Sequence, residues 1–134
     1  MQNSTFSNNT GLVADISSKE TREALLISNN TFTAARGGAV LSDSGSLFLN
    51  FSANLVNYAA SSSSSLLCIH GTNSLLVLAN SFRQNEATSV LNIHDTPFQL
   101  NAPGLISGNL FEQITSSGKG GGVALTGATS NVLL

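Results

Sequence analysis

Charge is scarce in this chain. Lysine, arginine, aspartate and glutamate make up 9% of it, and the net charge of −2 carries no basic excess. That argues against nucleic acid and anionic membrane surfaces as partners, because both are captured by clustered positive charge. Tryptophan is absent, and Cys68 is the one cysteine, so no disulfide can form within the chain. Cys68 therefore reads as a small buried hydrophobe rather than a reactive thiol. No apolar run approaches the roughly 20 residues that a helix needs to span a bilayer, so direct membrane insertion is not expected. The opening residues Met1-Gln-Asn-Ser-Thr carry neither the basic nor the apolar portion of a secretory signal. Met1 is accordingly expected to open an excised segment rather than a natural chain.

What the chain has in quantity is small polar residues. Serine, threonine, asparagine and glycine supply 59 of 134 residues. Such a composition would suit disorder if apolar residues were few, but they reach 41% and the mean hydropathy is +0.18. There is enough apolar surface to bury, and the length suits a single unit over 1–134.

A short pattern recurs: an apolar run, an Asn, one residue, then a Phe. It reads Asn30-Thr-Phe32, Asn80-Ser-Phe82 and Asn109-Leu-Phe111, with Ser4-Thr-Phe6 as a degraded copy and Asn54-Leu-Val56 carrying Val for Phe. Successive anchors lie 26, 24, 26 and 29 residues apart. A period in the twenties marks stacked supersecondary units, a scaffold with an extended surface.

Two further apolar runs fall between anchors. The first comprises Gly11–Ile16, Gly37–Leu41, Leu66–Ile69, Val90–Ile93 and Gly121–Leu125, each a short run closed by a turn such as Asp43-Ser-Gly45 or His70-Gly-Thr-Asn73. The second comprises Ala24–Ile27, Leu47–Leu49, Leu75–Leu78 and, more weakly, Phe98–Leu100 with Leu105–Ile106. Runs this short, bounded by Gly, Asn, Asp and Ser, are strands rather than helices. Three short strands per repeat predict an all-β, right-handed parallel β-helix of about five coils, each roughly 24–29 residues. Phe residues would then form an internal aromatic stack, and the Asn residues an amide ladder at a bend. Register around 47–66 has two solutions, with either Val56 or Phe51 as the stacked anchor.

Two segments break the pattern and are expected to project as loops, 17–23 and 57–65. The first holds four of the twelve charged residues, and Ser17 with Glu20 matches a capping box. The second contains the serine run from Ser61 to Ser65 and is expected to be exposed and mobile.

At these residues the chain resembles a family. Gly-Gly-Ala-Val is present at Gly37, Gly38, Ala39 and Val40; Phe-x-x-Asn is present at Phe6 with Asn9, Phe51 with Asn54, and Phe82 with Asn85. Alternation of these two motifs is similar to that of the chlamydial polymorphic membrane proteins. Phe32 and Phe111 depart from it, having Ala35 and Ile114 in place of the final Asn. The resemblance implies a slice of an autotransporter passenger: a β-helix carried to the bacterial surface or outer membrane, or secreted, and acting as an adhesin. It implies a host cell-surface protein or glycan as partner, alongside neighbouring coils of the parent chain. With no evident caps on the terminal coils, self-association is a further expectation.

Read physically, the same motif residues are foremost structural, since repeats specify their neighbours first. Paired glycines allow positive φ or close backbone approach. Aligning coils by the second strand brings Asp43, His70 and His94 together, a constellation that could hold a metal or act as acid and base. The fourth equivalent is Gly127, and no Glu or Cys completes a ligand set, so no metal, cofactor or catalytic residue is assigned and the chain is expected not to be an enzyme. A β-helical polysaccharide-binding or polysaccharide-cleaving domain is the rival, but the seven acidic residues fall in different phases of the repeat. A glycosylated repeat protein is a third reading, from sequons at Asn3, Asn8, Asn29 and Asn50.

Overall fold

The computed structural model describes residues 4–7, 10, 11, 13–17, 24–34, 36, 37, 39–61, 64–100, 102–118 and 121–134. Among them there is no helix, and the chain winds as a parallel β-solenoid. Three five-stranded sheets run along it. Sheet I stacks Thr5–Ser7, Thr31–Thr33, Leu55–Asn57, Ser81–Arg83 and Leu110–Glu112. Sheet II stacks Ala14–Ser17, Leu41–Ser44, Leu67–His70, Leu91–His94 and Val123–Thr126. Sheet III stacks Ala24–Ser28, Phe48–Ser52, Leu75–Leu78, Gly104–Ser107 and Val132–Leu133. Four turns are complete, and a fifth set of strands runs to Leu133. A short fourth ladder links Thr10–Gly11, Arg36–Gly37, Ala60, Glu86–Ala87 and Thr115–Ser116.

Register follows the Asn-x-Phe period. Phe6 pairs with Phe32, Phe32 with Val56, Val56 with Phe82, and Phe82 with Phe111. The backbone anchor of the third rung is thus Val56. Yet the ring that stacks there belongs to Phe51, 6.1 Å from Phe32 and 6.5 Å from Phe82, with Phe111 continuing the column 5.2 Å beyond. Both candidates for this place are used, one for register and one for volume. Each corner carries one aromatic and one β-branched residue: Ile27 and Phe32, Phe51 and Val56, Val77 and Phe82, Ile106 and Phe111. The order is reversed only at the second, so the core keeps nearly the same cross-section on every rung.

The same compensation occurs on sheet III. Its inward column runs Leu25, Leu49, Leu75, Gly104 and Val132. A Cβ on Gly104 would lie 2.6 Å from the Phe98 ring. Phe98 is buried and fills the space that Leu occupies on other rungs, which accounts for the 29-residue spacing of this turn. The run Phe98–Leu100 is therefore an insertion rather than a strand of sheet III, and Leu100 points outward, 87% exposed.

Corners are closed by a ladder of side-chain amides. The backbone N–H of Ser4, Asn30, Asn54 and Asn80 donates to Oδ1 of the next Asn at 3.0, 2.9, 2.9 and 3.0 Å. The Nδ2 groups of Asn54, Asn80 and Asn109 donate to the carbonyls of Ile27, Phe51 and Val77, one rung below, at 2.9, 2.8 and 2.7 Å. Just before each Asn the chain turns through positive φ, at Asn29, Ala53, Ala79 and Gly108. A non-glycine residue in that region costs of order 1–3 kcal/mol, so the amide bonds must over-determine the bend.

The segment 57–65 departs from a projecting loop. Asn57 ends a strand, Ala60 bridges Arg36 and Glu86, and Tyr58 is exposed, but Ser61 and Ser65 are buried. Ser65 Oγ lies 2.6 Å from Ser89 Oγ, so serine is here a rung-to-rung contact. Ser62 and Ser63 lie outside the described residues, as do 18–23 of the other expected loop.

Because the corner trades one ring for another, Phe51→Val and Val56→Phe should be coupled. In urea unfolding, the double variant should recover a large share of the loss caused by Phe51→Val alone, with an interaction energy within the roughly 0.5–3 kcal/mol found for contacting residues. Strict additivity would refute the shared corner volume.

Candidate functional site

The motif residues lie inside. Ala39, Val40, Phe51, Asn54, Phe82 and Asn85 are buried, while Gly37 is exposed at φ 81° in its short strand. Gly38 and Asn9 lie outside the described residues, and Phe6 is placed by its backbone register with Phe32. The three Phe-x-x-Asn copies are also not equivalent. Asn54 belongs to the corner between sheets III and I, whereas Asn85 sits past sheet I, accepting from the Ala59 N–H at 2.8 Å and donating to Val56 O at 3.0 Å. One sequence pattern thus serves two bends, and in both the amide faces backbone rather than solvent.

Side chains free to meet a partner point outward. On sheet II the register stacks Ser42, Cys68, Asn92 and Ala124 in one outward column, and Ser44, His70, His94 and Thr126 in the next. A shallow groove of about 320 Å³ runs over them, lined by Ser42, Ser44, Cys68, His70, Asn92 and His94 among others.

Asp43 does not join the two histidines. It pairs with Ile69, one residue out of step with His70, and the pleat turns it into the core, 1% exposed. There its Oδ1 accepts from the Ser46 hydroxyl, and Oδ2 accepts from the Thr72 hydroxyl at 2.5 Å. It ties a turn together. His70 and His94 are in register, with ring centroids 5.6 Å apart and planes tilted by 31°.

His94 is engaged elsewhere. Its Nε2 lies 2.8 Å from Asp95 Oδ2, and its Nδ1 lies 3.1 Å from Thr126 Oγ1. Asp95 in turn accepts from the Ala128 N–H at 2.7 Å. Gly127 makes this possible, since a Cβ there would fall 2.0 Å from Asp95 Oδ1, and its φ of +63° suits glycine. A carboxylate, an imidazole and a hydroxyl in line invite comparison with a hydrolytic triad. However, the Thr126 hydroxyl spends its single proton on Asn92 Oδ1 at 3.0 Å, and both His94 and Asp95 are about half exposed to water. Neither nitrogen of His94 converges with His70, and no group of three or more His, Cys, Asp or Glu is placed to hold a metal ion among the described residues. The groove offers hydrogen-bond donors and acceptors at rung spacing.

Sequence reasoning missed the line from Asp95 to Thr126. The only signal was Gly127, aligned with the histidines in the sequence repeat but one place past them in the structure, where Thr126 stands opposite His94, 32 residues on. Of the sequons, Asn29 is exposed, while Asn50 has its Oδ1 buried on sheet III between the register positions of Leu26 and Leu76. Asn3 and Asn8 lie outside the described residues.

No protein-family model, no curated protein and no solved structure matches this chain.

Burial pushes the Cys68 thiol above its ordinary range. The folded thiol therefore ionises at higher pH than the unfolded one. The resulting stability is complete below the ordinary thiol range and is lost as pH rises from there through the raised folded value. Iodoacetamide labelling at pH 8 should run several-fold slower than for a free cysteine and recover the free rate in denaturant. Equal rates in the two states would contradict this placement.

Proposed function

We propose that this chain is a non-catalytic segment of a bacterial surface adhesin, the passenger of an autotransporter, which binds a host cell-surface protein or glycan through its outward faces. One observation carries the reading. The residues of the Phe-x-x-Asn and Gly-Gly-Ala-Val motifs are spent largely on holding rungs together, so outward positions vary freely: Ser42, Cys68 and Asn92 share one column, and Ser44, His70 and His94 another. Repeat solenoids use such extended faces for recognition, and hydrogen-bonding side chains at regular spacing suit protein or glycan.

A second reading is polysaccharide binding without a receptor protein. The open groove of about 320 Å³ with its hydroxyl, amide and imidazole lining favours it.

The test is attachment of chain-coated beads to cultured cells, measured with the melting temperature of each variant. His70→Ala and Asn92→Ala should weaken attachment several-fold and leave the melting temperature unchanged. Phe82→Ala should cost about 3–5 kcal/mol and weaken attachment only as far as the chain unfolds. Loss of attachment on Phe82→Ala and Asn85→Ala at constant melting temperature would make the motifs contact residues and overturn the proposal. Competition by soluble polysaccharide, with attachment unaffected by protease treatment of the cells, would select the second reading.

A further inference from the structure

Sheet III turns an apolar side outward. Its central outward column runs Leu26, Asn50, Leu76 and Leu105, flanked by Phe48 on one side and Leu78 on the other. Leu26 is 40% exposed, and the other five are partly exposed. Sheet I turns Arg83 and Glu112 outward, and sheet II turns His70 and His94 outward. The five strands of sheet III contain no charged residue and no histidine. A sheet face in water ordinarily carries polar residues, so leucines repeated at rung spacing mark an interaction surface.

One polar atom lies in the middle of that surface. Asn50 Oδ1 is screened from water and meets no hydrogen-bond donor. Its neighbours in the column are Leu26 and Leu76, whose side chains have no donor to give. A buried acceptor left in this state is costly, and a donor must come from outside the sheet.

About Asn50 the column reads the same in both directions: Leu26, Asn50, Leu76. A two-fold axis lying along Phe48–Ser52 reverses the order of the rungs and keeps each column facing itself. It sets Leu26 against the second copy's Leu76, Phe48 against Phe48, and Asn50 against Asn50. Two amides so placed each donate from Nδ2 to the other's Oδ1, in the way that a single buried Asn fixes register between paired helices.

We propose that sheet III packs face to face on sheet III of a second copy of this chain, across a two-fold axis at Asn50. Aligned sheets pack about 10 Å apart with interdigitating side chains. An uncharged face meets its own image without repulsion. The overlap covers three rungs, a footprint of roughly 14 Å by 16 Å. That is well below the about 800 Å² that each partner contributes to a stable complex, so the pair is weak and exchanges with monomer. This face is distinct from the sheet II columns proposed to meet the host cell, and the pairing does not depend on that reading.

The test is sedimentation equilibrium of the full chain from tens of micromolar to about one millimolar, with nitrogen-15 amide spectra over the same range. A reversible monomer–dimer equilibrium is expected, with concentration-dependent shifts centred on Leu26, Asn50 and Leu76. Leu76→Glu and Asn50→Asp each place two carboxylates in the interface and should weaken dimerisation at least tenfold. Their melting temperatures at tens of micromolar, where the chain is monomeric, should match that of the parent and show that both variants fold. A chain that stays monomeric to one millimolar would overturn the proposal. So would concentration-dependent shifts on sheets I or II in place of sheet III, or a dimer that both variants form as readily as the parent.

Discussion

The fold depends on one hydrogen bond repeated along its length, from the backbone N–H of a corner asparagine to the side-chain oxygen of the next. The corner forces positive φ on Asn29, Ala53 and Ala79, which strands and helices avoid. It also turns backbone groups inward where water cannot serve them. Asn54, Asn80 and Asn109 answer both needs, because the Oδ1 of each accepts from the rung below and its Nδ2 reaches a carbonyl there. No disulfide is possible, and Arg83 with Glu112 at 3.3 Å is a half-exposed ion pair of the kind that contributes little. The amide ladder and the column of rings beside it are left to hold the coils in register.

Register then constrains the core. Stacked rungs lie at a fixed spacing near 4.8 Å, so a void on one level cannot be closed by moving its neighbours closer. Side chains must conserve cross-section level by level. Phe51 exchanges places with Val56, and Phe98 returns from an insertion to lie over Gly104. Once the interior is so determined, partner chemistry falls to the outward columns.

Much of this was legible in sequence. Asn-x-Phe carried the register at the second, fourth and fifth rungs, since its spacing is that of the corner itself, while the third rung stayed open between Phe51 and Val56 until the stacked geometry used both. What escaped was anything set by the pleat or by a contact across rungs. Asp43 looked like the opening of a turn because the apolar run before it is short; it occupies the inward position that Ile69 and Ile93 hold on later rungs. The serine run looked like a solvated loop, because composition cannot reveal that Ser65 pairs with Ser89 across a rung. Three Phe-x-x-Asn copies looked alike, although Asn54 and Asn85 close different bends. The groove's network from Asp95 to Thr126 joins residues a full turn apart, which only the stacked geometry brings together.

Native-state hydrogen exchange of the corner amides tests the central claim most directly. The N–H groups of Asn54 and Asn80 are bonded to side chains rather than to a neighbouring strand, and the corresponding N–H of Asn109 meets no acceptor among the described residues. If the ladder holds the coils together, Asn54 and Asn80 exchange as slowly as strand amides such as those of Val77 and Ile93, while Asn109 exchanges orders of magnitude faster. Exchange of Asn54 and Asn80 at the rate of Asn109 would mean that the ladder is a passenger of the fold and not its support.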